Sequence, residues 1–127
     1  TIVWLDGEII GKPRDPEDAV SILKKLSGKT HTVYTGVAVL TDQGCDVCHD
    51  TTEVTMEDIP EADIRAYVAS GEPLDKAGAY GIQGPAAVFV KRVEGCYFTI
   101  IGMPMHKLYH MLAKVGIYPD WQRAART

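Results

Sequence analysis

The chain has 127 residues, 46% hydrophobic and 24% charged, with a formal net charge of −4. That is enough apolar material for one domain with its own core, and the acidic balance argues against a nucleic-acid-binding surface. No apolar run approaches the roughly 20 residues of a membrane-spanning helix, and an odd set of cysteines (Cys45, Cys48, Cys96) suits reduced thiols in a cytoplasm rather than a disulfide framework.

In chain order, Ile2 to Leu5 is a short apolar strand and Asp6-Gly7 a hairpin signal, with Glu8-Ile9-Ile10 returning as a second strand. Asp15-Pro16-Glu17-Asp18 reads as an N-cap, a proline at the first helical position and acids in the first turn. Ala19, Ile22, Leu23 and Leu26 follow helical spacing, and Gly28 is the stop. Thr32 to Leu40 is rich in β-branched and apolar residues and predicts a buried strand. Asp42-Gln43-Gly44 turns it into another strand from Asp46 to Met56. A second helix is expected from Pro60, with Ile64, Tyr67 and Val68 inward and Gly71 at its end. Beyond a glycine-dense stretch, Ala86–Val93 and Cys96–Ile101 flank Glu94-Gly95 and predict a hairpin. Pro104 then opens a last helix with Leu108, Met111, Leu112 and Val115 on its core face, followed by an exposed tail from Trp121 to Thr127. Alternating helices and strands with hairpins predict an α/β fold with a mixed sheet. There is no repeat, low-complexity tract or linker, so residues 1–127 read as a single domain.

Most of the chemistry is concentrated between Gly71 and Gly84, Gly-Glu-Pro-Leu-Asp-Lys-Ala-Gly-Ala-Tyr-Gly-Ile-Gln-Gly. Glycines at this density allow positive φ and close approach to a ligand. Lys76 offers a point charge for phosphate, Asp75 a metal or lysine partner, and Gln83 an amide that both donates and accepts. Together they fit a nucleotide-sized polar site, although turn residues in a solvated loop share this composition. Lys12, in Gly11-Lys12-Pro13 before a helix start, suits an anion; taken alone, it reads rather as a solvated surface lysine. Asp75 and Lys76 could equally form a surface ion pair of little energetic weight, and Glu53 reads as a solvated strand position.

Cys45-Asp46-Val47-Cys48-His49 has the Cys-x-x-Cys-His spacing of haem attachment. In a strand, however, residues three apart point to opposite faces, and haem attachment needs an oxidising compartment. A zinc site would need a second ligand pair, and none stands at a zinc spacing. His31, His106 and His110 have no acid partner in the local sequence and read as structural.

The Gly71–Gly84 stretch closely resembles the long loop of the pyrimidine-specific branch of the Maf nucleoside-triphosphate pyrophosphatases. Gly11-Lys12-Pro13, Leu26-Ser27-Gly28, His31-Thr32-Val33-Tyr34-Thr35-Gly36-Val37, and Gly95-Cys96-Tyr97 through Gly102-Met103-Pro104 resemble Maf blocks in the same order. Phe98-Thr99 departs from the family's frequent Ser-Asn, which alters a loop hydrogen bond, and Met56 replaces a frequent Phe at similar volume.

This resemblance implies an α/β fold with a mixed sheet, flanking helices and a central cleft between two lobes. It also implies that a Ser-x-Ser-Pro-Arg-Arg loop, a glutamate and a catalytic aspartate lie upstream of Thr1. The chain is thus expected to be the C-terminal two-thirds of the family domain. The implied reaction is hydrolysis of dTTP and UTP to the monophosphate and pyrophosphate, with a divalent cation, Mg or Mn, as cofactor and a nucleoside triphosphate as partner. By the same resemblance Lys12 and Lys76 supply charge, Asp75 lies near the triphosphate and its metal, and Thr1 and Gln83 read the base. Uracil and thymine present a carbonyl–NH–carbonyl edge that one glutamine amide can match. A homodimer, a cytoplasmic location and a link to septum formation follow by analogy. The alternative reading is a non-catalytic nucleotide-binding or septum-formation regulatory remnant.

Overall fold

Asp6 and Gly7 both have positive φ (49° and 82°), as a two-residue turn matching the twist of its strands requires. They join β1 (Ile2–Leu5) to β2 (Glu8–Ile10), with Leu5 paired to Glu8. The computed structural model describes residues 1–123. Helix α1 (Pro16–Leu26) begins as its sequence signals require: the Asp15 carboxylate accepts the Asp18 N–H at 2.7 Å, Pro16 stands in the first turn, and Glu17 and Asp18 face the helix's positive end. Ala19, Val20, Ile22, Leu23 and Leu26 form its buried stripe, and Gly28 (φ 69°) leads out of it.

Two long strands, β3 (Thr30–Thr41) and β4 (Gly44–Met56), pair over twelve positions from Thr30↔Thr55 to Thr41↔Gly44. Instead of being covered on both sides, β3 alternates: His31, Val33, Thr35 and Val37 are buried while their neighbours are at least partly exposed. The reason is that all strand pairs are antiparallel, in the order β2-β1-β3-β4-β5, and one face of the sheet stays solvated. The covered face packs against α1 and α2 (Glu61–Ala69), which buries Ile64, Tyr67 and Val68 as expected. The α/β class with flanking helices thus stands, its sheet antiparallel throughout the described residues.

The predicted hairpin of 86–101 does not form. Pro85–Phe89 is a 3-10 turn, β5 is only Val90–Glu94, and Tyr97–Ile100 is a short helix, α3. Gly95 (φ 120°) explains the difference: a Cβ there would lie 2.9 Å from Thr52 Oγ1, and that hydroxyl donates to the Cys96 carbonyl at 2.7 Å. The chain is thereby drawn across β4 instead of returning beside β5.

Helix α4 (Met105–Lys114) also differs from expectation. Of its predicted core face only Met111 is fully buried; Leu108 and Leu112 are partly covered and Val115 is 44% exposed. It packs near the distal end of β3 and β4, where Leu40 and Val47 are themselves exposed. A short helix, α5 (Asp120–Arg123), follows with Trp121 exposed as expected; the remainder of the expected tail, 124–127, lies outside the described residues. No helix among the described residues is long and apolar enough to cross a membrane.

Candidate functional site

The connector after α2 is a chain of tight turns. Gly71 (φ 81°) starts a 3-10 turn at Glu72–Asp75, and Gly78 (φ 77°) sits inside a second at Ala77–Ala79. The Gly78 N–H donates to the Gly11 carbonyl at 3.2 Å, tying the connector to the turn that carries Lys12. Tyr67, from α2, is the hub. Its hydroxyl donates to Glu72 Oε1 at 2.7 Å and accepts the Gly81 N–H at 3.2 Å, while its ring meets Phe89 edge-on. Burial, reinforced by the Glu72 carboxylate, raises the Tyr67 hydroxyl pKa, so it remains a donor.

Two connector glycines leave room for side chains of the same connector. A Cβ on Gly81 would lie 2.7 Å from Lys76 Cε, and one on Gly84 would lie 2.5 Å from Glu72 Oε1. Glycine spacing, read from sequence as an accommodation for ligand, here accommodates Lys76 and Glu72.

The connector, β1, β3 and the end of α3 enclose a cavity of about 610 Å³, within the usual range for small-molecule sites. Thr1, Lys12, Lys76 and Gln83 all line it, together with Glu72 and Tyr80. The Lys12 ammonium and Gln83 amide have no hydrogen-bond partner among the described residues. Lys76 is held at 3.2 Å from the Glu72 carbonyl and 3.1 Å from the Asp75 carboxylate. Asp75 is not on the cavity wall: its side chain is 81% exposed. The Lys76 hydrogen bond and charge, with Lys12 adding a further field, lower its carboxyl pKa.

Thr1 is anchored by a relay of hydroxyls. Thr35 Oγ1 donates to the Thr99 carbonyl at 2.7 Å, which uses its only proton; the 2.9 Å contact between Thr1 and Thr35 hydroxyls therefore has Thr1 as donor. What Thr1 can still offer to the cavity is acceptor capacity. Thr99 Oγ1 in turn donates to Asp50 Oδ2 at 2.8 Å.

Behind the cavity, the His31 ring packs edge-on against Tyr80, with Nε2 2.7 Å from the Tyr80 hydroxyl. Burial pushes the imidazole pKa down to about 4 and the Tyr80 hydroxyl up. His31 Nδ1 is buried with no partner among the described residues. Cys45 and His49 are exposed on β4 while Cys48 turns inward, its thiol 3.3 Å from Met111 Sδ; the haem-like spacing is divided between two strand faces. Glu53 is exposed, as read.

Glu72, Tyr67, Thr35 and Tyr80 were not singled out from sequence. Glu72 and Tyr80 stand within the motif and could have been; Tyr67 and Thr35 act through contacts 14 and 64 residues away, which carry no local signal. His106, read as lacking an acid partner, has Nε2 4.0 Å from Asp50 Oδ2.

A protein-family profile described as "Maf-like protein" matches residues 1–115. The chain is 48% identical over 118 residues to a dTTP/UTP pyrophosphatase of Pelotomaculum thermopropionicum, covering 91% of this chain and 62% of that protein. It is 47% identical over 117 residues to one of Aquifex aeolicus (92% and 62%), and 50% identical over 116 residues to one of Thermotoga maritima (91% and 57%). The chain therefore spans about three-fifths of the length of these relatives. With the profile covering nearly all of it and curated relatives close to half identical, this chain belongs to the Maf-like protein family.

Proposed function

We propose that this chain forms the nucleotide-binding part of a pyrophosphatase that hydrolyses dTTP and UTP to the monophosphate and pyrophosphate. The observation that carries the reading is the convergence of Thr1, Lys12, Lys76 and Gln83 on one cavity of nucleotide size. Two ammonium groups offset triphosphate charge as it shifts toward the leaving pyrophosphate. The Gln83 amide donates to a carbonyl of the pyrimidine's carbonyl–NH–carbonyl edge, and Thr1, its proton already committed, accepts from that edge's single N–H. Adenine offers no adjacent carbonyl and ring N–H and leaves these groups mismatched, and an unsatisfied polar pair discriminates strongly. Guanine does offer them, so its rejection falls to the size of its second ring.

Among the lining residues Glu72 is the one carboxylate. A hard divalent cation such as Mg²⁺ or Mn²⁺ is commonly held by one or two carboxylates plus phosphate oxygens, a role that Glu72 fits and the exposed Asp75 could extend. When bound, such an ion neutralises phosphate charge and makes the α-phosphorus easier to attack. A carboxylate base activates the attacking water in this scheme.

A second reading, binding without turnover, is favoured by one observation: Glu72, the one carboxylate among the lining residues, already accepts the Tyr67 hydrogen bond, so the described cavity wall offers no uncommitted carboxylate to serve as base. The two are separated by measuring binding and pyrophosphate release for dTTP, UTP, ATP and GTP. Release from dTTP and UTP over the purines supports hydrolysis; pyrimidine-selective binding without release supports the second reading. Equal binding of all four defeats both assignments of Gln83.

A further inference from the structure

Beneath α3, away from the nucleotide cavity, three donor atoms from distant parts of the chain converge. An Asp50 carboxylate oxygen, the Cys96 thiol and a His106 ring nitrogen all lie within 4.8 Å of one another. They come from β4, the residue capping α3 and the first turn of α4. The geometry points to a zinc-type metal site at Asp50, Cys96 and His106, distinct from the phosphate-bound cation of the proposed reaction.

The donor set decides the metal. One oxygen, one sulfur and one nitrogen is the mixture that Zn²⁺ accepts, whereas Mg²⁺ and Mn²⁺ favour oxygen. Zinc bonds of about 2.0–2.3 Å place neighbouring tetrahedral donors roughly 3.3–3.7 Å apart, so closure needs a contraction of about 1 Å from the observed spread. His106 can supply it: its side chain is 55% exposed and lies on the first turn of its helix.

The two remaining ligands are better fixed. The Cys96 carbonyl is held by Thr52 Oγ1, and Gly95 packs too closely on Thr52 to carry a side chain. Asp50 Oδ2 accepts from Thr99 and faces His106, while Lys107 lies 3.4 Å from Oδ1 and donates to the His49 carbonyl. Outer hydrogen bonds of this kind orient a ligand carboxylate; a carboxylate has lone pairs enough for both. On binding, the Cys96 S–H bond breaks, its proton passes to solvent, a sulfur–metal bond forms and the ion sheds water; nothing is oxidised or reduced. Three protein ligands leave a fourth position for water.

Such an ion would staple β4 to α3 and α4. Ile100, Ile101 and Gly102 at the end of α3 form one wall of the nucleotide cavity, and Thr99 already links Asp50 to Thr35 and Thr1. The site therefore braces that wall without touching the nucleotide.

The test is titration of the purified, reduced chain with Co²⁺ as a spectroscopic probe, followed by displacement with Zn²⁺. Expected is one ion per chain, with a sulfur-to-cobalt charge-transfer band and intense tetrahedral ligand-field absorption. Cys96→Ser removes the charge-transfer band, Cys45→Ser and Cys48→Ser leave it, and His106→Asn weakens binding by at least about tenfold. Zn²⁺ raises the thermal midpoint of the parent chain but not of the His106→Asn chain. If Cys96→Ser fails to fold, the exposed His106 variant remains decisive. Absence of a charge-transfer band, its survival in Cys96→Ser, its loss in Cys48→Ser or undiminished affinity in His106→Asn overturns the assignment.

Discussion

His31 Nε2 and the Tyr80 hydroxyl meet at 2.7 Å in the core, joining the middle of the sheet to the connector that bears Gln83. The imidazole pKa falls from 6.5 to about 4 because burial penalises its charged form. Between these values the unfolded chain binds more protons than the folded one, so stability rises with pH across the window. The contribution is complete above about pH 6.5 and is lost progressively as pH falls toward 4, by on the order of 3 kcal/mol for this 1% exposed side chain. Denaturant midpoints measured from pH 7 to 4.5 should show that fall, and His31→Phe should flatten it. An unchanged slope in the variant would show that another group is responsible.

The Gly84 backbone and the Glu72 carboxylate occupy adjoining space, with 2.5 Å left for any Cβ. Gly84→Ala should push Glu72 off the Tyr67 hydroxyl, costing about 1 kcal/mol for the lost hydrogen bond. Glu72→Ala removes the obstructing group, so the double variant should be less unstable than the two single effects added together. A thermodynamic cycle over the four proteins checks this; strict additivity would contradict the packing argument.

Gly78 combines a φ of 77° with a projected Cβ 3.2 Å from Val3 Cγ2. Gly78→Ala should destabilise by at least about 1–2 kcal/mol for the left-handed backbone alone. Gly11→Ala, which meets nothing within 4 Å, is the control and should change stability by less than about 0.5 kcal/mol. Equal midpoints for the two variants would refute the distinction.

Thr35, 2% exposed, donates to the Thr99 carbonyl and accepts from Thr1. Thr35→Val should remove one donor to that carbonyl, which keeps the Gly102 N–H at 3.2 Å, and cost about 0.5–1.5 kcal/mol, while freeing the Thr1 hydroxyl to rotate. Chemical denaturation reads the first effect; loss of discrimination between dTTP and ATP binding reads the second.

Lys12 has no hydrogen-bond partner to lose among the described residues, only a weak field on the exposed Asp75, so Lys12→Ala should change stability by less than about 0.5 kcal/mol. Its effect should fall on dTTP, weakening binding about tenfold or more through loss of a charge-assisted contact. Unchanged dTTP affinity would remove Lys12 from the site.

Local signals account for what could be read in advance. Asp6-Gly7, Asp15-Pro16 and Asp42-Gln43-Gly44 announce their turns and cap by chemistry confined to a few residues, and β1, β2, α1, β3 and β4 lie where these signals put them. The C-terminal third was misread because Tyr97–Ile100 has the β-rich look of a strand; its path depends on Gly95 packing against Thr52, more than forty residues away. The cavity shows the same division. Lys12, Lys76 and Gln83 stand in recognisable motifs, whereas the Thr1–Thr35–Thr99–Asp50 relay and the approach of His106 to Asp50 exist only once β3, β4, α3 and α4 are assembled.

The twelve-pair ladder between β3 and β4 closes through a turn of only Asp42 and Gln43. Such a hairpin requires little loop-closure entropy, whereas joining β1 to β3 or β5 to β4 brings together segments about thirty or more residues apart. The order of assembly follows: the long hairpin zips early, and the outer strands, with the connector between α2 and β5, dock onto it later. Substitutions such as Val33→Ala should therefore slow refolding, while Val3→Ala and Val93→Ala should chiefly hasten unfolding.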